Sequence, residues 1–194
     1  MFKIIRIVLV EFFLWFDTII RFLPGRIGTA IRRIWFGFHF EKRRRLNIGV
    51  GCEFLSPKTI LFENFVGIGK NSFFSAEGGI IRVGEHTTFN MNVHINASCG
   101  GKILIGNNCL IGPNVVMRSA DHRFEKPNIL IREQGHIARD IFIDEDVWLG
   151  SNVIILGGVH IGRGSIIGAG AVVTRDIPPM AIAVGIPAKV IKYR

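Results

Sequence analysis

Ile143-Asp144-Glu145-Asp146-Val147-Trp148, Leu149-Gly150-Ser151-Asn152-Val153-Ile154, Ile155-Leu156-Gly157-Gly158-Val159-His160, Ile161-Gly162-Arg163-Gly164-Ser165-Ile166 and Ile167-Gly168-Ala169-Gly170-Ala171-Val172 are five consecutive hexapeptides. Each opens on Leu or Ile, and the fifth position is always small or β-branched. The second is Gly or Asp in four of the five. The unit recurs upstream in Ile48-Gly49-Val50-Gly51-Cys52, Ile68-Gly69-Lys70-Asn71-Ser72, Val83-Gly84-Glu85-His86-Thr87, Ile105-Gly106-Asn107-Asn108-Cys109 and Ile111-Gly112-Pro113-Asn114-Val115. An amphipathic helix repeats every 3.6 residues and a strand every 2, so neither explains a period of six. A run of short extended segments separated by tight corners does. Three such segments close a triangular coil of about eighteen residues, and stacked coils pair as parallel strands. The Gly after the aliphatic is expected to supply the positive φ of each corner.

The spacing also locates an interruption. Ile105 and Ile143 are separated by one coil plus about twenty residues, so residues 118–140 are expected to leave the solenoid as a loop. That loop contains Ser119-Ala120-Asp121-His122-Arg123. A long polar excursion from a rigid scaffold is where function is expected. After Val173 the repeat dissolves, and 179–194 reads as a terminal cap. The expected organisation is a helical segment at 1–46, a β-helix at 47–178 and the cap.

The chain has 194 residues and a net charge of +9, with 48% hydrophobic and 20% charged residues. This composition excludes a disordered chain. The absence of a Gly-X-Y period among 23 Gly excludes collagen. The three cysteines, Cys52, Cys99 and Cys109, have no paired spacing. A disulfide framework and a zinc knuckle are therefore not expected, and all three read as small buried residues in a reducing cytosol.

The charge belongs to the N-terminus. Residues 1–46 hold ten Lys/Arg against three acids, and half of the 16 Phe. Residues 1–23 are long enough to span a bilayer, but Lys3, Arg6, Glu11, Asp17 and Arg21 interrupt them. On a helical wheel Lys3, Arg6, Asp17 and Arg21 share one arc, which predicts an amphipathic helix with a basic polar face lying in a membrane interface. Leu23-Pro24-Gly25 ends it. A second basic-aromatic helix is expected from Ile27 to Phe40, closed by the run Lys42 to Arg45. Packing on the solenoid or on a neighbouring chain is the competing expectation. Nucleic acid is not expected, because no recognition helix or stacking platform is present.

Taken together, Asp146-Val147-Trp148-Leu149-Gly150, Gly158-Val159-His160-Ile161-Gly162, Ile167-Gly168-Ala169-Gly170-Ala171-Val172-Val173-Thr174 and Val184-Gly185-Ile186-Pro187-Ala188 form a specific combination. From about Ile48 to Arg194 the chain resembles the hexapeptide-repeat acyltransferases, in particular the maltose- and galactoside-type and exopolysaccharide O-acetyltransferases. The resemblance implies an all-β core folded as a left-handed parallel β-helix. It also implies a homotrimer with acetyl-CoA bound between neighbouring chains and a glycan acceptor. His122 then corresponds to the catalytic histidine and Asn90 to the active-site asparagine. Trp148 corresponds to the tryptophan walling the cleft, Ser151 and Ala169 to positions bonding the pantetheine arm, and Thr174, Arg175 and Lys189 to the region reaching the nucleotide phosphates.

Acetyl transfer to a hydroxyl needs a base near neutral pKa, which suits His, and donors for the oxyanion. No metal is expected. Asp121 or Glu125 is a candidate to orient the imidazole, and His94 to line the cleft, whereas His86, His136 and His160 read as solvated. Three alternatives stand beside this reading: N-acetylation of an amino sugar, a zinc hydrolase on the same fold, and a non-catalytic scaffold. The zinc site would need converging His, and the nearest pair, His86 and His94, is eight residues apart. The basic aromatic N-terminus points to a lipid-linked or polymerising glycan at the inner face of the plasma membrane.

Overall fold

The computed structural model describes residues 2–41 and 44–194, with side chains from residue 5 onward. Lys42 and Arg43 of the basic run, and the Lys3 side chain of the charged arc, lie outside the described residues.

The hexapeptides fold as a three-faced parallel β-solenoid. On its first face Asn47–Ile48, Gly67–Ile68, Thr88–Phe89, Leu110–Ile111, Trp148–Leu149 and Ile166–Ile167 stack in order, followed by Ala181–Val184. The second face runs from Glu53–Leu55 to Val172–Val173, and the third from Ile60–Phe62 to His160–Ile161. Each first-position aliphatic points inward and lies above its equivalent in the coil below: Ile48 pairs with Ile68, Ile68 with Phe89, Phe89 with Ile111, Ile111 with Leu149, Leu149 with Ile167. Fifth-position residues, Cys52 and Cys109 among them, are buried between these columns. Cys99 is the exception. It is exposed in the turn after His94–Asn96, because it lies outside the hexapeptide register.

Coil length follows core side-chain size. Ile143 pairs with Ile161, eighteen residues on, as the period requires. The lower coils advance 20 to 22 residues, as the pairs Ile48–Ile68 and Phe89–Ile111 show. Their inward positions carry Phe54, Phe62, Phe74 and Phe89, which pack edge-on or stacked with centroids 5.2–6.1 Å apart. The wider base is filled by aromatic rings, and the narrower top by Ile, Leu and Val.

The corners correct one expectation. The positive φ falls on the fourth position, at Asn71, Asn92, Asn108, Asn114, Asp146 and Asn152, rather than on the second-position glycine. Asn and Asp tolerate that conformation better than other side chains. Asn92, Asn114 and Asn152 also bond one another along one edge, Nδ2 to Oδ1, at 3.1 and 3.0 Å. The second-position glycine has a different cause. A Cβ on Gly69 would sit 2.4 Å from the carbonyl carbon of Asn90 in the next coil. At this position only Gly lets the two corners stack so closely.

At the base, α1 (Phe2–Phe22) and α2 (Gly25–Gly37) cap the first coil. The break at Pro24 is where the sequence places it, and α2 ends three residues before Phe40. Phe36 and Phe40 close the aromatic core from below. Arg32, 1% exposed, donates to the carbonyls of Ile48 and Leu23 and to Thr29 Oγ1. The orientation of α1 differs from a basic face turned outward. Asp17 is buried, accepts from Trp35 Nε1 at 2.8 Å and pairs with Arg21, which also reaches Glu53. Asp17 and Arg21 of the charged arc therefore grip the protein, whereas residues 5–16, Arg6 among them, are all exposed. No helix among the described residues is long and apolar enough to cross a membrane.

Candidate active site

The register Asn47–Gly67–Thr88–Leu110–Trp148 forms one outward-facing column up the first face. Asn90 follows Thr88–Phe89 at the corner leading to the second face. Its Oδ1 accepts the N–H of Met91 at 2.8 Å, which leaves the side-chain amide group free to donate. Thr88, Asn90, Leu110 and Trp148 line one open groove of about 430 Å³, floored by Gly69 and Gly112. Trp148 stands outward with 52% of its surface exposed, so it serves as a wall rather than as core packing. Asn90 and Trp148, far apart in sequence, thus share a groove.

Ser151 and Ala169 occupy the same edge one and two coils above Gly112. Their N–H groups have no hydrogen-bond partner among the described residues, because the corner turns them away from the neighbouring coil. Two unpaired donors on one edge are suited to binding an extended ligand with carbonyl groups. Lys189 begins the last strand, antiparallel to Ala181–Val184, and is exposed beside the top of this edge. Thr174 and Arg175 are exposed at the next corner, between the second and third faces.

His122 lies past that second corner. The interruption is a β-hairpin in which Ala120–His122 pairs antiparallel with His136–Ala138, so that His122 faces His136. Their ring centroids are 4.3 Å apart. Both are exposed, as the solvated reading of His136 expects. Neither Asp121 nor Glu125 bonds the His122 ring; Glu125 accepts from the N–H of Phe124 instead. The hairpin lends no residue to the Asn90–Trp148 groove. Within one chain, His122 and Asn90 belong to different corners of the triangle.

The remaining histidines separate by environment. His86 is exposed and stacks on Phe65. His160 Nε2 lies 2.9 Å from Asp144 Oδ1 on the third face. His94 is on the second face, half-buried against Phe73 with ring centroids 4.7 Å apart. Burial, and then the charge of Arg118, hold its pKa below the usual 6.5. The unfolded chain takes up this proton at about pH 6.5 and the folded chain only at lower pH. The cost is therefore absent above about pH 6.5 and grows as the pH falls from there. The wild type is expected to lose more melting temperature than His94→Gln between about pH 7.5 and about pH 5. Equal losses would contradict this. Among the described residues no three His, Cys, Asp or Glu groups gather as metal ligands. Burial raises the thiol pKa of Cys52 and Cys109, so neither is a nucleophile.

Two family models match the solenoid: the bacterial transferase hexapeptide (six repeats) over residues 140–175 and the hexapeptide repeat of succinyl-transferase over residues 102–119. The Escherichia coli galactoside O-acetyltransferase is 35% identical over 141 residues, covering 70% of this chain and 67% of that one. This chain belongs to the hexapeptide-repeat acetyltransferase family. A hexapeptide-repeat acetyltransferase of Vibrio cholerae, solved with acetyl coenzyme A, superimposes with a TM-score of 0.64 and 26% identity. That match covers 90% of this chain and 81% of that one. A polysialic acid O-acetyltransferase superimposes with a TM-score of 0.59 and 26% identity, covering 78% and 75%. This chain spans 67% of the Escherichia coli enzyme's length and 42% of that of a putative acetyltransferase of Schizosaccharomyces pombe.

Proposed function

We propose that this protein transfers acetyl from acetyl-CoA to a hydroxyl of a glycan, with His122 as general base. The observation that carries this reading is the groove joining Asn90 to Trp148, below the unpaired N–H groups of Ser151 and Ala169. Those donors fit the amides of a pantetheine arm, and Thr174, Arg175 and Lys189 fit the phosphates at its far end. In the reaction His122 removes the hydroxyl proton as that oxygen attacks the thioester carbonyl carbon. The tetrahedral oxyanion collapses, the carbon–sulfur bond breaks, and the imidazolium returns the proton to sulfur. Asn90 donates to the acceptor or to the developing oxyanion. Because His122 and Asn90 stand at different corners, the complete site is shared by two chains of a homotrimer. Thiol release from acetyl-CoA, measured against free, polymeric and lipid-linked glycans and amino sugars, tests the reading. No acceptor-dependent release with any of them would overturn it.

The same reading places the protein at the inner face of the plasma membrane, acting in cell-surface polysaccharide synthesis. Its support is the bare apolar surface of α1, where Ile7, Val8, Leu9, Phe12, Trp15 and Ile19 are all exposed. Exposed apolar surface of this extent requires a partner, and an interfacial helix finds one in lipid. Phe12→Glu with Trp15→Glu is expected to abolish sedimentation with anionic vesicles while leaving the melting temperature unchanged. The two residues are 72% and 71% exposed. Retained sedimentation with an altered oligomeric mass would assign α1 to the subunit interface instead.

A further inference from the structure

A second groove, larger than the one holding Asn90, opens on the same face. It lies lower on the first face, between α2 and the first coils, with a volume of about 760 Å³. Arg33, Arg44 and Arg45 line it together with Ile34 and Phe65. Arg44 pairs with Glu63 at 3.1 Å, but its buried Nε has no partner. Arg45 lies over the Phe65 ring, 5.6 Å from its centroid. Among the described residues neither Arg33 nor Arg45 meets an acid. Three guanidinium groups thus share one carboxylate in a concave, part-apolar setting. Forked guanidinium donors are matched to phosphate oxygens.

Two further observations narrow the ligand. Thr88 lines both this groove and the Asn90–Trp148 groove. The column Asn47–Gly67–Thr88 runs directly from one to the other, and adjacent strands are about 4.8 Å apart. Asn47 and Thr88 are therefore roughly 10 Å apart, the length of a sugar or two, and the arginine groove reaches Thr88. On the other side, Ile27, Ile34 and Phe38 make an exposed apolar stripe along α2 and just beyond it, and Ile34 belongs to the groove.

We propose that the Arg33–Arg44–Arg45 groove binds a phosphate or diphosphate ester carried by the acceptor, which joins its glycan to an apolar chain. The glycan then points up the first face to Asn90, and the apolar chain lies along Ile34 toward the lipid. This rests on the reading of the Asn90–Trp148 groove as the acceptor site, and it specifies the class of acceptor. It also accounts for arginine, rather than lysine, at all three groove positions.

The test is direct binding to the full chain, with farnesyl diphosphate and farnesol as probes. Farnesyl diphosphate is expected to bind and farnesol to bind at least 10-fold more weakly. Arg33→Gln with Arg45→Gln is expected to remove most of that difference without lowering the melting temperature. Equal binding of the two probes, or an unchanged affinity in the double variant, would overturn the proposal. A second arm separates the two sources of phosphate. Phosphatidylcholine vesicles seeded with farnesyl diphosphate should lose binding in the double variant, and pure phosphatidylglycerol vesicles should keep it through α1. The reverse pattern would make the groove a reader of bulk headgroups and sink the proposal. Binding is read without acetyl transfer, so the outcomes separate. Activity on free glycans with no diphosphate binding removes this inference alone, and arginine-dependent binding in a chain that transfers no acetyl removes the catalytic reading alone.

Discussion

His122→Gln is expected to lower acetyl-CoA-dependent turnover by roughly 10²- to 10⁴-fold, the usual contribution of a positioned general base. The side chain is exposed on a hairpin that projects from the solenoid and supports no core residue. Its loss should therefore change stability by no more than about 0.5 kcal/mol. The KM for acetyl-CoA should stay near the wild-type value, since the proton is moved only in the transition state. A turnover equal to the wild type would remove His122 from the mechanism. The division of the site between corners gives a sharper result. Asn90→Ala is also expected to be crippled, yet mixing it with His122→Gln and reassembling the oligomer should restore activity. In the proposed homotrimer, random mixing leaves about a quarter of the interfaces with a native His122 and a native Asn90 from a different chain. No recovery on mixing would show that one chain builds the whole site.

Arg32→Met is expected to release the base of the solenoid. Among the described residues Arg32 is the largest fully buried side chain, and no carboxylate pairs with it. Burial lowers its pKa, which means that the fold bears the cost of an unpaired charge. Carbonyl dipoles compensate: Nε donates to the carbonyl of Ile48 at 3.0 Å, Nη1 to that of Leu23, and Nη2 to Thr29 Oγ1 at 3.1 Å. Gly28 makes this possible, because a Cβ there would collide with the Leu23 carbonyl oxygen. Methionine matches the length but leaves two carbonyls without donors, at about 1–3 kcal/mol each. A loss of about 3 kcal/mol corresponds to roughly 6–12 °C in melting temperature for a chain of this size. Solenoids couple only neighbouring coils, so the loss should be local. The helical circular-dichroism signal should melt first while the sheet signal persists. Arg32→Lys should fall between the two, since a single ammonium cannot reach all three acceptors. An unchanged helical transition would contradict the clamp.

The six-residue period determined the solenoid, the inward columns, the burial of Cys52 and Cys109, and the position of the hairpin. These follow from local chemistry repeated along the chain: an aliphatic residue at each first position and a small one at each fifth leave a single way to bury both. The break at Pro24 was equally legible, since proline and glycine act on the backbone where they stand. The role of the second-position glycine was not. Its cause is the backbone of the coil above, and that distance exists only once the coils stack. Cys99 was misread for a related reason, because residue type alone does not reveal whether a position keeps the register. The orientation of α1 was also beyond the sequence. A helical wheel groups Asp17 with Arg21, but only Trp35 and Glu53, brought from elsewhere in the chain, turn that arc inward. Asn90 and Trp148 share a groove because the chain completes nearly two coils between them, and Arg33 joins Arg45 because α2 folds back over the first coil. Sequence alone thus determined the architecture, which repeats a local rule, and tertiary structure decided the surfaces, which depend on long-range neighbours that no local rule specifies.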